Sequence, residues 1–532
     1  MLVAVVTPPP LKPSEPGLSG GAAASVLRAM GVDVSWVDAS LQWHRFVLDR
    51  RSAEAGGDRS EHAARLRRSA SRAGARPSPL QVPDTYRTRE RYTSAVNDLE
   101  NALRAAALPY QGIRLGIAMF AVDRPPSRLE SSATLAWLAS VPGPFDDYFL
   151  MGLIPWLVRE RPRTVAVSLT FQQQAPAAFR LAAILRERMP EVRRVLGGPL
   201  VACWRAAGLP CNAPPFTLFD DVVAGDPEDL ARLASCSRSF AAPQPAWPDS
   251  PLSVPLDQAD WHDYLAPLPT VPVALGRGCY WRRCTFCPDH LHGPHAPCET
   301  ASLDGWLHEV AARFPAGAML HLTDSALPIG HLQRIAEVIR RDRLPLQWHG
   351  FVRVEPDLAE PDLVRDLAAG GCSMLQFGVE SGSDRILRKL GKGATPQLAR
   401  ATLRTCAQAG LRNHVYLLFG VPGETDQDRE QTLALVRSEA SSIHALHAAL
   451  LNLPKGSPMH QRAASFGITD LVPFGQDTDL SLYDDFRCGA SHPRREARRW
   501  LAHVFFKDPA VRGIQGRLRA PFQANHLCFL PP

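Results

Sequence analysis

Short apolar runs alternate with helix-length stretches along most of the chain, and this alternation predicts its architecture. Leu2 to Val6 is entirely apolar and stops at Thr7 and three prolines. Such a run fits a parallel strand buried on both faces. Gly17 to Gly21 leads into a helical stretch from Ala22 to Met30, and Val32 to Asp38 is a second strand. Small residues stand where that helix must approach a neighbour closely. The pattern breaks over about residues 50 to 110, an insertion in which Asn97 to Leu108 reads as an amphipathic helix. It resumes with a strand from Thr164 to Thr170, a helix from Ala175 to Met189 and a strand from Val192 to Leu196. A strand over Asp221 to Asp226 and a helix over Pro227 to Leu233 close the unit.

Residues 237–265 hold several prolines and little periodicity, and they read as a linker. Beyond them, apolar segments recur at helix-plus-strand spacing. They are Val271 to Leu275, Ala318 to Leu322, Leu346 to Val352, Met374 to Val379, Asn413 to Phe419 and Leu446 to Leu453. Helical stretches such as Leu332 to Arg341, Pro361 to Ala369 and Thr395 to Ala409 lie between them. Repeated units of this kind predict a parallel (β/α) barrel, full or partial. The tail from about Phe466 reads as irregular, rich in aromatics and prolines. The expected fold class is therefore α/β. A Rossmann-like domain over 1–236, with a helical insertion at about 45–160, precedes a partial barrel over 266–460 and a small C-terminal extension over 461–532.

Composition narrows the partners more than the fold. The 532 residues exceed what one core can serve, and 45% hydrophobic with 21% charged is a globular balance. The net charge of +6 is small, and basic residues are scattered among acids, so no nucleic-acid footprint is expected. No apolar run has the length of a membrane span, and the N-terminus reads as a strand rather than a signal peptide. A cytoplasmic location is the expectation. Eleven cysteines are dispersed except for one trio, which suggests reduced thiols plus one metal site.

That trio is the chemical centre of the chain. Cys279, Cys284 and Cys287 fall in a loop just after the Val271 to Leu275 strand. In α/β folds such loops face an open crevice. Three thiolates can hold three corners of an iron–sulfur cubane and leave one iron open to a ligand. Zinc is the rival, because His290 lies three residues after Cys287 and a Cys3His set is conceivable on count. Against it, zinc sites usually pair two such clips, and here there is one.

Three later segments belong with the loop: Leu322-Thr323-Asp324-Ser325, Phe377-Gly378-Val379-Glu380-Ser381-Gly382-Ser383, and Phe419-Gly420-Val421-Pro422-Gly423-Glu424-Thr425. In this order and spacing the chain resembles the radical S-adenosylmethionine (SAM) enzymes, and more narrowly the branch with an N-terminal cobalamin-binding domain. The resemblance implies that Cys279, Cys284 and Cys287 ligate a [4Fe–4S] cluster whose fourth iron is chelated by SAM. It places Phe286 by the adenine, Thr323 and Asp324 by the methionyl amine, Glu380 and Ser381 by the ribose, and the Gly420 and Gly423 turn near the adenine. The loop departs from the commonest C-x3-C-x2-C spacing by one extra residue before Cys284.

The same resemblance implies that the N-terminal sheet binds cobalamin at its carboxyl edge, with Thr7, Ser168, Thr170, Gly197, Gly198 and Gly225 around the corrin and its tail. No Asp-x-His-x-x-Gly motif offers a lower-face histidine to cobalt. The implied activity is SAM cleavage to a deoxyadenosyl radical and methyl transfer to an unactivated carbon of a natural-product or peptide substrate. Non-methylating cyclisation or rearrangement, and an N-terminal domain that has lost its cofactor, stand as alternatives. An electron donor such as flavodoxin or ferredoxin is implied as partner. His290, His292, His295 and Cys298 could line the site, and Arg353 and Glu355 could grip substrate charge or pair with each other.

Overall fold

The computed structural model describes residues 2–53, 61–123, 128–223, 229, 250–289, 293–475, 477–517 and 520–530. They fall into two compact units. One comprises 1–246, 252–272 and 475–481; the other comprises 247–251, 273–474 and 482–532.

The first unit is built on a parallel sheet of β1 (Val3–Thr7), β2 (Val34–Asp38), β3 (Thr164–Ser168), β4 (Arg193–Gly197) and β5 (Asp221–Val222). Every residue of β1 and β3 is buried, as expected of strands covered on both faces. The strand order is β2-β1-β3-β4-β5, so the chain reverses direction across the sheet between β1 and β3. Ligands of open α/β sheets sit at that switch point, outside the strand C-termini. Helix α1 (Leu18–Ala29) packs on β1, and it starts earlier than the apolar pattern suggests. Gly20 and Gly21 lie within it and must be small, because a side chain at either would overlap Thr7 or Val254. In the insertion, α2 (Arg89–Ala107) buries Tyr92, Val96, Leu99 and Leu103 along one stripe, and Thr88 caps its start.

The second sheet has seven strands in the order β12-β11-β10-β9-β8-β7-β6. These are β6 (Leu252–Ser253), β7 (Thr270–Ala274), β8 (Ala318–Leu322), β9 (Leu346–Val352), β10 (Cys372–Glu380), β11 (Arg412–Phe419) and β12 (Ala445–Leu450). Pairing from β8 through β12 is parallel throughout. Helices α3 (Thr300–Arg313), α4 (Ile329–Asp342), α5 (Pro361–Ala369), α6 (Asp384–Leu390), α7 (Pro396–Gln408) and α8 (Asp426–Ser438) alternate with the strands. The result is a partial (β/α) barrel.

The tail is more ordered than its composition suggests. Leu453–Pro454, Tyr483–Arg487 and Asp470–Pro473 form a small antiparallel sheet, and α9 (Pro493–His503) follows. Helix α9 hides its periodicity among arginines, with only Ala497 and Leu501 as buried apolar positions after its N-terminal proline. Among the described residues, no helix is long and apolar enough to cross a membrane.

Candidate active site

The cysteine loop leaves the C-terminal end of β7, and its root is fastened to β8. The Leu275 N–H donates to both carboxylate oxygens of Asp324, at 2.9 and 3.2 Å. Burial pushes the Asp324 carboxyl up to about 6, against the lowering effect of these backbone donors. Thr323 donates from its N–H and its hydroxyl to the Val273 carbonyl, at 2.8 and 3.1 Å. Both residues thus tie β8 to β7 and to the loop. Gly276–Arg277 pairs antiparallel with Ala296–Pro297 and closes the loop at its base.

Within the longer first gap of the loop, Arg282 adopts a left-handed conformation, φ 49°. Its neighbours serve as anchors. Trp281 Nε1 donates to the Gly391 carbonyl at 2.8 Å, and its ring lies 3.7 Å under the Arg353 guanidinium. The Tyr280 hydroxyl donates to Glu355 at 2.5 Å. Arg353 donates to the Lys392 carbonyl at 2.6 Å and to Glu355 at 3.3 Å. Thr285 donates to the Leu390 and Lys389 carbonyls, both at 3.0 Å. Arg353 and Glu355 therefore pair with each other and brace the loop.

The three thiols form no disulfide and are half-buried. Burial raises the Cys284 thiol, with Lys392 and Arg353 opposing and Glu380 adding to the rise. The Cys287 thiol is pushed up to about 12 by burial and then by Asp289. These charges place Lys392, Arg353 and Glu380 around the loop. Among the described residues, no three His, Cys, Asp or Glu side chains are gathered as a single metal ion would require.

Glu380 ends β10 with φ 64°, just after a register shift between Gly378 and Glu380. A left-handed glutamate is strained by roughly 1–2 kcal/mol and persists only where its surroundings hold it. Here Lys392 Nζ donates to Glu380 Oε1 at 3.2 Å, and the two side chains are only 9% and 13% exposed. A Cβ on Gly378 would come 2.7 Å from Glu380 Oε1, so the glycine makes room for this pair. The Ser381 hydroxyl is engaged at 3.1 Å with both the Thr432 hydroxyl and the Ser383 N–H.

The third segment closes on the same loop. Gly420 and Gly423 are left-handed, and the Gly420 N–H donates to Glu424 Oε2 at 2.7 Å. Lys389 donates to the Pro422 carbonyl at 2.7 Å and Arg385 to the Gly423 carbonyl at 2.7 Å. Phe286 packs against the apolar cluster that holds Ile386, Leu390, Leu418 and Val421. Helix α6 and the following Gly391 to Gly393 thus join the cysteine loop, Glu380 and the glycine turn. Lys392, Lys389, Arg385 and Trp281 are the site residues that sequence reasoning missed. The Gly391-Lys392-Gly393 tripeptide was the available signal.

Burial pushes Glu424 up to about 7, although Arg429 lies 3.6 Å away. An acid raised above its unfolded value favours the fold below about pH 4.5 and loses that contribution as pH rises through about 7. Glu424→Gln keeps an acceptor for Gly420 and cannot ionise. It is expected to melt higher than the unsubstituted protein at pH 8, by an amount on the order of 3 kcal/mol, with the gap closing near pH 5. Melting curves across that range check this.

Of the remaining sequence candidates, His290, His292 and Gly225 lie outside the described residues. Burial lowers His295, with His331 beside it, and Cys298 is buried with its N–H donating to the Leu275 carbonyl at 2.7 Å.

In the first unit, Thr7, Ser168, Thr170, Gly197 and Gly198 all fall at the carboxyl edge near the switch point. Their roles differ. The Thr7 hydroxyl accepts from Trp36 Nε1 at 3.1 Å, and the Ser168 and Ser19 hydroxyls are 2.6 Å apart. Both side chains are buried and fix the edge from within. Gly198 has φ 103°, and a Cβ there would lie 2.6 Å from the Leu169 nitrogen, so its bareness lets two loops meet. A Cβ on Gly197 would meet Val223 at 2.8 Å. Thr170 is half-exposed at the rim, its N–H donating to Gln174 Oε1 at 3.1 Å.

Residues 273–436 match the radical SAM superfamily. An uncharacterized methyltransferase of Pyrococcus horikoshii is 31% identical over 99 residues, 19% of this chain and 21% of that protein. The cobalamin-dependent SAM radical enzyme OxsB, solved with aqua-cobalamin and SAM bound, aligns with TM-score 0.50 and 13% identity over 87% of this chain and 56% of that one. The radical SAM methyltransferase TsrM of Kitasatospora setae, solved with cobalamin and a [4Fe-4S] cluster, aligns with TM-score 0.48 and 16% identity over 86% of this chain and 77% of that one. The chain thus spans about a fifth of the length of the curated methyltransferase it matches.

Proposed function

We propose that this protein, whose residues 273–436 form a radical SAM domain, is a cobalamin-dependent enzyme that cleaves SAM reductively and methylates an unactivated carbon. One observation carries the reading. Three thiols that form no disulfide sit on a loop pinned to the Gly391 carbonyl, next to Lys392, which pairs with Glu380. In this reading Cys279, Cys284 and Cys287 hold a [4Fe–4S] cluster. Their number fits, because three thiolates leave one iron for SAM. When bound, the cluster supplies one electron to the SAM sulfonium, and cobalamin supplies a methyl carrier.

The chain's own residues bind, orient and screen. Glu380 offers an acceptor suited to ribose hydroxyls, held in place by Lys392. Phe286 and the Gly420 to Gly423 turn offer a flat apolar wall and bare backbone for the adenine. Asp324 and Thr323 act one step back, fixing the root of the loop. In the first unit, Thr170 and the loops meeting at Gly198 form the rim for cobalamin, with Thr7 and Ser168 supporting it from inside. The OxsB likeness supports cobalamin and SAM as cofactors, and the methyltransferase relative supports methyl transfer. The substrate is taken to be a small molecule or peptide, and the reductant a flavodoxin- or ferredoxin-type donor.

The test is anaerobic reconstitution with iron, sulfide and hydroxocobalamin, then SAM and a chemical reductant. Iron and sulfide near four per chain are expected, with 5′-deoxyadenosine and S-adenosylhomocysteine forming together once a substrate is present. SAM left intact by a cluster-loaded protein would overturn the proposal. Deoxyadenosine without S-adenosylhomocysteine would remove methyl transfer and leave the non-methylating enzyme.

A further inference from the structure

One helix of the first unit is apolar on the side that faces water. Asp146–Tyr148, Phe149–Leu153 and Ile154–Glu160 run on as one helix with a π turn in its middle. Its inner side packs as expected. Phe149, Leu153 and Leu157 are fully buried at the spacing of a single helix face, and the Tyr148 hydroxyl donates to Gln42 at 2.9 Å. The opposite side of such a helix is ordinarily polar. Instead Leu150, Met151 and Val158 are 40%, 67% and 55% exposed, and Pro155 is exposed with them. Met151, Pro155 and Val158 are four and three residues apart, so they share one stripe. Isolated apolar side chains at a surface are ordinary, but a continuous stripe marks a contact.

The stripe has aromatic and basic company. Trp156 on the same helix is half-buried. Arg180 fastens the start of the helix to the one before it, Ser132–Ser140, by donating to Asp146 at 2.6 Å and to the Ala139 carbonyl at 2.9 Å. That preceding helix leaves Trp137 40% exposed. At the far end Arg159, Arg161 and Arg163 are all exposed, and among the described residues none has a side-chain partner. Glu160, between the first two, accepts from the Ser35 hydroxyl at 2.9 Å instead. The exposed acid of the helix, Asp147, lies at its other end. The chain then enters β3 at Thr164, so the arginines stand at the amino edge of the sheet, away from the carboxyl edge and its switch point.

A second copy of this chain fits the stripe poorly. Leu150, Met151 and Val158 together expose about 300 Å², well below the roughly 800 Å² that each partner gives to a stable interface. A two-fold contact would also bring six arginines together against two aspartates. An anionic bilayer meets both features, because surface-lying helices combine an apolar face, indole rings and basic side chains.

We propose that this helix is a membrane-surface anchor: Leu150, Met151, Pro155 and Val158 enter the acyl boundary, and Arg159, Arg161 and Arg163 bind the headgroups of anionic lipids. The helix is too short to cross a bilayer and its inner side is already packed on the unit, so it lies along the surface. The contact depends on neither the cluster nor cobalamin.

The test is co-sedimentation of the full chain with phosphatidylcholine vesicles, with and without about one-third phosphatidylglycerol. Binding to the anionic vesicles should be at least about tenfold tighter than to the neutral ones, and should weaken at least about tenfold between about 0.1 and 1 M salt. Met151→Asp and Val158→Asp should each weaken it at least about tenfold, as should Arg159→Gln combined with Arg161→Gln. These are surface changes, so the Tm should move by less than about 2 °C. Leu471→Asp, at an exposed leucine of the second unit, is the control and should bind as the unsubstituted chain does. Equal binding to both kinds of vesicle, or to neither, overturns the proposal. So does binding that survives the stripe and arginine substitutions. A dimer in light scattering that Met151→Asp splits, with no vesicle binding, assigns the stripe to a second copy instead.

Discussion

Replacing Cys284 with alanine is expected to abolish SAM cleavage, by at least about 100-fold, together with the visible charge-transfer band and the bound sulfide. Cys284 is the middle thiol of the three, and Cys287 is only three residues beyond it. Without it, an iron of the cubane would lack its protein ligand, and two thiols would have to hold the whole cluster. The loop itself should survive. Trp281 to Gly391, Tyr280 to Glu355 and Thr285 to Leu390 hold its backbone, and none of these bonds involves a thiol. The variant should therefore melt close to the unsubstituted protein. Cys211→Ala, which removes a half-exposed thiol in the first unit, is the control and should keep both cluster and cleavage. Iron and sulfide retained by Cys284→Ala would remove the cluster assignment. Tightly bound zinc without sulfide in the unsubstituted protein would replace it with the zinc reading.

What could be read in the sequence was set by how local each signal is. β8 shows the bounds that its apolar run suggests, Ala318–Leu322, because a strand covered on both faces writes its limits in consecutive residues. The order of strands and helices in the barrel follows in the same way. The cysteine trio, Glu380 and the two glycines of the 420 turn were legible as motifs. Their partners were not. Lys392 reaches Glu380 only because α6 and the left-handed Gly391 fold the chain back, a tertiary fact with no period to report it. The left-handed Arg282 in the cysteine loop is equally invisible, since no residue type announces a positive φ on an arginine. Thr323, Asp324 and Ser381 were legible as polar residues at strand ends. Whether a hydroxyl there meets a ligand or a neighbouring strand depends on register, and here all three bond to their own scaffold. The tail was misread as irregular because its small sheet pairs mostly polar segments, in which Phe486 is the buried anchor of Tyr483–Arg487.

The largest effect on stability is expected at the pair behind the cysteine loop. Lys392→Met should lower stability by about 3–5 kcal/mol, because it leaves the Glu380 carboxylate buried without its cation. The methionine fills much the same space, so packing is a minor part of the cost. Glu380 cannot relax easily. Its φ of 64° is already strained, and the register shift in β10 points it toward the lysine. The stretch that carries Lys392 also receives Trp281 at Gly391 and Arg353 at the Lys392 carbonyl, so a displaced residue 392 loosens both clamps on the cysteine loop. Glu380→Gln in the Lys392→Met background removes the unpaired charge and should recover more than half of the loss. The two single variants and the double variant then make a cycle whose coupling energy should exceed about 1 kcal/mol, measured by denaturant unfolding. A coupling near zero would mean that the two side chains do not act as a pair, and that Lys392 serves the loop through its backbone alone.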